Sequence, residues 1–536
     1  MDGHYVDLWH RIAMEAPDEP AVVTVGEATL SRAEFDEAGA RFAALLTELG
    51  IARDDKVSIL LHNRPEWLIT FAGSLRIGVV PVSLNFRYRA REVAALLEDS
   101  DSAALVYAAS LAGVVAEAVE LLGRPIALLQ VQDVDAPLLP GALDFADYAS
   151  RAPLPYENPV DSDFFMYTGG TTGTPRAAVW SVQQMLTMQV YNAYVTAGLP
   201  QPKSADDVVR LATGPKARHM VALALSPYMH GTALTTVINA LLVGGTVVVL
   251  PTARFNPRQA IRAIVDEGVT RVAVAGDAIA IPLLEAAEAE GILALPELTS
   301  VLSSGMRFSD STKRQLHALA PNLVITDILA STEGGAVGLG ITRSADEVPA
   351  LFQLTPGTVV LDENLDEVQQ IPGSVGKIAF TGGMPKGYYK DAEKTAANFV
   401  EIRGRRHIIP GDLVRIVDDQ GRIELLGRGA TVVNSGGEKI YPAEVEESIL
   451  GFPGVVDAMV FGVPDSRWGE LVATAVAVAD PATFDVAALT AHVGAELAGY
   501  KKPRRVLVLR DLERTGTGKV DLAKLRQRTL EDGVSA

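Results

Sequence analysis

Seven residues, Thr168, Gly169, Gly170, Thr171, Thr172, Gly173 and Thr174, form a glycine–threonine loop inside YTGGTTGTPR (167–176), directly after the strand-like FFMY. Glycines let backbone N–H groups converge without interference from a Cβ, and threonine hydroxyls add further donors, so the loop suits phosphate oxygens. It is not a Walker A loop, because no Gly-Lys-Ser/Thr follows, and its glycine spacing does not fit the dinucleotide fingerprint. Taken alone, such a loop is equally well a flexible surface turn.

Four more segments carry chemically useful residues. DILASTE (327–333) places Ser331, Thr332 and Glu333 after the strand-like VIT. A carboxylate beside a hydroxyl at a strand's C-terminal end suits Mg²⁺ when the substrate brings phosphates, because Mg²⁺ uses few protein ligands. Asp412, after Gly411, has a carboxylate suited to a ribose diol. Gly427-Arg428 is followed by NSGGEKIYP (434–442), and RTGTGK (514–519) lies near the C-terminus. A lysine after a glycine-rich turn is ordinarily just solvated.

The elements around these segments alternate. Ser31 and Glu34 form an S-x-x-E start signal for a helix reaching Leu49 and closed by Gly50. Strands are expected at 56–61, 79–84 and 103–108, and helices at 65–77 and 90–99, which points to parallel sheets covered by helices. GDLVRIVDDQGRIELLGRG (411–429) reads as a hairpin turning at Asp419, Gln420 and Gly421. Beyond it, helix 442–450, strands 455–463 and 471–478, helix 486–497, strand 505–509 and helix 520–530 make a small α+β unit. The expected fold is therefore a large α/β N-terminal domain, 1–428, with parallel-sheet layers, and a small α+β C-terminal domain, 431–536.

Composition removes several alternatives. The 536 residues are 48% hydrophobic, with 47 Lys+Arg against 66 Asp+Glu, a net charge of −19 and no cysteine. A thiol nucleophile, a zinc knuckle, an iron–sulfur site and any disulfide are excluded. The negative field opposes nonspecific binding to nucleic acid or an anionic membrane. The N-terminus lacks a signal-peptide core, and the longest apolar stretch, 103–116, is too short to span a bilayer, so a cytoplasmic protein is expected.

In order, YTGGTTGTPR, SPYMHG (226–231), LASTEGG (329–335), GYYKDAEKT (387–395), PGDLVRI (410–416), GRGATVVNSGGEKIYPAEVE (427–446) and RTGTGK resemble the adenylate-forming superfamily of acyl-CoA synthetases, luciferases and peptide-synthetase adenylation domains. The resemblance runs from about Tyr5 to Leu530. It implies an ATP-dependent activation of a carboxylic acid as acyl-AMP, then transfer to CoA with release of AMP. Alternatives are an acyl-adenylate synthase serving a carrier protein or partner enzyme, and a catalytically weak acyl- and nucleotide-binding relative.

The resemblance further implies residue roles. The 168–174 loop holds the leaving phosphates, Glu333 binds Mg²⁺ with Thr332 beside it, and Asp327 contacts adenine, with Ser304, Gly305 and Ser331 also on the nucleotide. Asp412 takes the ribose with Arg428 nearby, and Lys519 bridges carboxylate and α-phosphate. His230 gates an acyl pocket with Gly231, Ala275, Gly276, Leu329 and Ala330. Ser435, Gly436, Gly437 and Glu438 line a CoA channel, and the C-terminal domain turns about Ala430 between the two steps. A homodimer is left open.

The sequence departs from the family where Arg176 and Ala177 replace the usual lysine and glycine, where Leu329 and Ala330 replace an aromatic–glycine pair, and where Ala430 replaces a charged hinge residue. Arg176 keeps the charge as a fork of donors and is expected at the pyrophosphate. The region 228–231 lacks the aspartate that amino-acid activators use, which disfavours an amino-acid substrate. Candidate pocket segments 184–194, 230–234, 275–279, 303–306 and 329–330 are mostly apolar with several small residues, suiting a bulky hydrophobic acid. GDAIAIPLLEA (276–286), PVSLNFRY (81–88) and NSGGEKIYPAEVEE (434–447) look most like actinobacterial ligases for steroid side-chain and related bulky acids, which implies a polycyclic or terpenoid acid. The insertion-like 198–220 is expected either to cover the pocket or to be a surface loop.

Overall fold

Ser31 and Glu34 close a reciprocal capping box at the start of helix Arg32–Glu48, and Pro65 and Pro442 each open a helix at the first turn, where no N–H is needed. The computed structural model describes residues 3–168, 175–214, 220–306, 308–348, 350–428, 432–512 and 520–536. Helices Pro65–Arg76, Ala90–Asp99 and Pro442–Leu450 match the sequence expectation within a residue. So do strands Lys56–Leu60 and Arg505–Leu509.

Three sheets are formed by the described residues. The first runs Gly387–Tyr388, Arg176–Ser181, Asp163–Thr168, Val80–Ser83, Lys56–Leu60, Ser102–Ala108, Ala127–Val131 and Leu143–Asp144. Its centre is parallel, but Asp163–Thr168 and Arg176–Ser181 are antiparallel, so the ends of the glycine–threonine loop sit on one hairpin. The loop itself, 169–174, lies outside the described residues.

A second, larger sheet has a parallel centre in which Val221–Ala224, Arg271–Val274, Ser300–Ser304 and Val324–Ser331 are neighbours. Beyond Val324–Ser331 it turns antiparallel through Gly335–Thr342 to the hairpin Asp412–Ile416 and Arg422–Arg428. Both large sheets are thus mixed, not purely parallel, because hairpins extend the parallel centres at their edges. Strand Val324–Ser331 is also longer than VIT suggested, since it is paired on both sides and Asp327 to Ser331 lie within it.

The third sheet belongs to the C-terminal residues, with the long pair Val455–Asp465 and Gly469–Val478 at its centre. A short hairpin that the sequence reading missed, Val433–Ser435 with Glu438–Ile440, joins it through Ser435 and Gly469. The expected boundary at 428–431 falls between the second and third sheets, and Ala430 is outside the described residues. In the insertion, Ser204 caps helix Ala205–Thr213, whose Val208, Val209, Leu211 and Ala212 enter the main core. The described part of that segment is not a plain surface loop, because the apolar face of its helix is buried. No helix among the described residues is long and apolar enough to cross a membrane.

Candidate functional site

Period-two alternation sorts the residues of the large sheet between two cores. Ala273 and Leu302 face the core that includes helices Val182–Thr196 and Gly231–Leu242, whereas Val272, Val274 and Val301 face the opposite one. On the first face Ala275, Ser304, Leu302, Thr326, Ile328 and Ala330 form one wall of a cavity of about 1710 Å³. Gln189, Thr235, Thr236 and Asn239 reach it from the two helices. This volume exceeds the several hundred Å³ usual for a single small ligand, so the cleft has room for more than one reactant.

The C-terminal hairpin supplies part of the cavity wall. Gly436 and Gly437 have φ of +62° and +85°, and a Cβ on Gly437 would stand 3.2 Å from the Ala275 Cβ. A Cβ on Gly436 would stand 2.9 Å from the Trp468 ring, so both positions need glycine for conformation and for space. Glu438 then enters the body: it pairs with Arg87, accepts from Asn85 Nδ2 at 3.2 Å and meets His230 Nε2 at 3.4 Å. Burial alone would raise its carboxyl, but His230, Arg87 and Lys501 outweigh burial and hold it down to about 2.

Lys501 anchors the same interface. Its Nζ donates to Glu92 at 2.6 Å and to Glu444 at 2.8 Å, and it lies 4.8 Å from the centre of the Tyr88 ring. Only 2% of this lysine is exposed. Burial pushes its ammonium down, yet the two carboxylates prevail and its pKa is raised. None of Asn85, Arg87, Glu92, Glu444 and Lys501 was anticipated as functional. The visible signals were a lone acid after two glycines and an NFRY segment with no assigned task.

Beyond the cavity wall, Tyr388 donates its hydroxyl to Glu333 at 2.8 Å, and Asn398 in turn donates to Tyr388 at 3.2 Å. The Thr332 carbonyl accepts from Trp180 Nε1 at 3.0 Å, and Ser331 Oγ accepts from the Gly334 N–H at 2.8 Å. Asp412 and Arg428 stand opposite each other in the strand register. Among the described residues no three His, Asp or Glu side chains converge as a ready metal site. Glu333 with the Thr332 hydroxyl fits Mg²⁺ as a minor ligand set, the remaining oxygens coming from phosphates and water.

Several expected site residues stand elsewhere. Asp327 and Leu329 are absent from the cavity wall that Thr326, Ile328 and Ala330 form. Asp327 pairs with Lys313 at 2.9 Å, and Leu329 packs against the neighbouring core around Val337 and Val360. Residues alternate in a strand, and these two occupy the other face. Gly276 is also off the wall, donating its N–H to Ser303 Oγ at 3.1 Å where helix Gly276–Ala289 begins. Arg176 Nε is held by Asp391 at 2.7 Å, away from the cavity lining. Ser304, Gly305, Ser331, Thr332, His230, Gly231, Ala275, Ala330, Gly436, Gly437 and Glu438 do line the cavity. Lys519 lies outside the described residues.

Residues 9–389 match the AMP-binding enzyme family, and residues 444–519 match the AMP-binding enzyme C-terminal domain. A medium/long-chain-fatty-acid–CoA/3-oxocholest-4-en-26-oate–CoA ligase of Mycolicibacterium smegmatis is 35% identical over 528 residues, covering 96% of this chain and 94% of the relative. A 3-oxocholest-4-en-26-oate–CoA ligase of Rhodococcus rhodochrous is 32% identical, covering 98% and 94%. The solved amide bond synthetase McbA of Marinactinospora thermotolerans superposes with a TM-score of 0.79 at 25% identity, over 97% of this chain and 99% of that one.

Proposed function

The chain belongs to the AMP-binding enzymes and is an AMP-forming acid–CoA ligase, and from that premise we propose that its acid is a bulky hydrophobic carboxylic acid of the polycyclic or terpenoid kind. The observation that carries this reading is the cavity wall built from Ala275, Ala330, Thr326 and Gly231, whose missing side-chain volume leaves width for rings. The names of the two actinobacterial relatives, each of which includes a steroid side-chain acid, support it.

In the first step a carboxylate oxygen bonds to the α-phosphorus of ATP and the bond to pyrophosphate breaks. The reactants are both anions, so the site has to neutralise charge and align them. Lys519 bridges the two, the 168–174 loop receives the leaving phosphates, and Asp412 takes the ribose. Mg²⁺, held by Glu333 and Thr332, would neutralise phosphate charge when bound; Tyr388 fixes the orientation of Glu333. Arg176, whose Nε is held by Asp391, supplies a fixed positive charge beside the leaving phosphates.

In the second step the thiolate of CoA attacks the acyl carbonyl and AMP leaves. Supporting this reading, the 435–437 turn abuts Ala275, and Glu438 is seated on Arg87 and His230. The 431–536 unit turns about Ala430 to exchange this turn for Lys519. No general base is required for the first step, since a carboxylate is already ionised at neutral pH. The test is a panel of carboxylic acids with and without CoA, read by mass. Ring-bearing acids are expected to give acyl-AMP without CoA and a thioester with it. Activation of short linear acids alone would overturn the substrate class.

A further inference from the structure

The cavity wall carries a charge that adenylation chemistry does not use. Arg271 opens strand Arg271–Val274, lines the cavity and is only 3% exposed. Its Nε donates to Ser300 Oγ at 3.2 Å, and its Nη2 donates to the Thr196 carbonyl at 2.8 Å. Thr196 ends helix Val182–Thr196, so the helix supplies partial negative charge to one side of the guanidinium. Nη1 has no hydrogen-bond partner among the described residues, and none of their carboxylates pairs with Arg271. Burial lowers the guanidinium pKa to about 10, which leaves it charged at neutral pH.

A buried cation without a counterion is costly, and its retention in a ligand cavity points to a group that arrives with the ligand. The surrounding wall agrees. Asn239 Nδ2 donates to Gln189 Oε1 at 2.9 Å, while Asn239 Oδ1 is buried without a partner among the described residues. Thr235, Thr236 and Thr326 also line this side, so the pocket is not a plain hydrocarbon slot. Arg271 lies four residues before Ala275 on the same strand face, roughly 13 Å from the end that the C-terminal hairpin abuts.

Resting on the acid–CoA ligase reading above, we propose that Arg271 is a specificity residue that receives an oxygen acceptor, a ketone or a second carboxylate, at the end of the substrate remote from the reacting carboxylate. A site built to donate to a substrate oxygen discriminates strongly against the analogue that lacks it, because the donor is then left buried and unpaired.

The test compares matched acids on the wild type and on Arg271→Met: dodecanoic acid, its methyl-ketone analogue and dodecanedioic acid, together with a sterane side-chain acid with and without a ring-A ketone. The wild type is expected to prefer an oxygen-capped acid at least about tenfold in kcat/KM, and Arg271→Met to erase that preference. The ketone and diacid arms tell the two acceptors apart. A ratio for two acids on one enzyme is independent of the folded fraction, so partial destabilisation of the variant does not obscure it. An unchanged ratio in Arg271→Met overturns the proposal. Calorimetric binding of the same acids gives the comparison without turnover: equal Kd values on wild type and variant also overturn it. Absence of thioester from every acid, with binding preference intact, counts against the ligase reading and leaves the role of Arg271 standing.

Discussion

Lys501 shows how one side chain can hold an interface together. Replacing it with methionine would leave Glu92 and Glu444 facing each other without a cation, and breaking a buried ion pair this way costs about 3–5 kcal/mol. Lys501→Met is expected to cut thioester formation while pyrophosphate release persists, a split that stopped-flow assays of the two products would show. The pH response follows from the shifted groups. Glu438, with an ordinary value of 4.5, is held down to about 2, so its contribution is complete above 4.5 and fades as pH falls toward 2. Lys501 is raised above 10.5, so its contribution is complete below 10.5 and lost at still higher pH. Melting temperature should therefore fall as pH drops from 4.5 toward 2, and fall less in Glu438→Gln; an equal fall in both would contradict the geometry. At this scale a local motif singled out His230, which lines the cavity, but nothing singled out Arg271. A single arginine within TRVAVAG was visible, yet its burial depends on strands that are distant in sequence.

The hairpin Val433–Ser435 and Glu438–Ile440 is the element to which the proposed thiol step is assigned. Gly437→Ala would force a side chain into a left-handed backbone and within 3.2 Å of Ala275. Thioester formation is expected to fall at least about tenfold, with adenylation nearly unchanged, as read by CoA-dependent and CoA-independent product mass. Equal loss in both would place the hairpin in the first step as well. Helices were legible because their signals are local: capping boxes, first-turn prolines and closing glycines. This hairpin was not, because three-residue strands gain their identity from pairing with Gly469 and from docking on Ala275. Likewise, alternation within Val324–Ser331 decides that Ala330 faces the cavity and Leu329 does not, and VIT alone did not reveal that the strand continues.

Across the whole molecule, the two-domain plan was readable from the change of texture near residue 430, and the mixed character of the sheets was not, since edge hairpins depend on tertiary pairing. The interdomain charge cluster draws on five separated segments, around residues 85–92, 230, 438, 444 and 501. No local pattern announces such a convergence. The double variant Glu92→Gln, Glu444→Gln is expected to leave Lys501 without ionised partners and to shift the small domain away from the observed seat. Small-angle scattering of the free chain would detect the shift; an unchanged profile would mean that the glycine hairpin holds the domain unaided.

Glu438 rests on His230, and His230 immediately precedes the helix that carries Asn239 into the acyl cavity. Whatever fills the cavity therefore leans on the same rigid rod that receives the lid. If an acid that steadies this rod tightens CoA, thermodynamic reciprocity requires that CoA tighten the acid by the same factor. Two carboxylic acids that differ only at their buried ends should consequently report different apparent affinities for a thiol that touches neither.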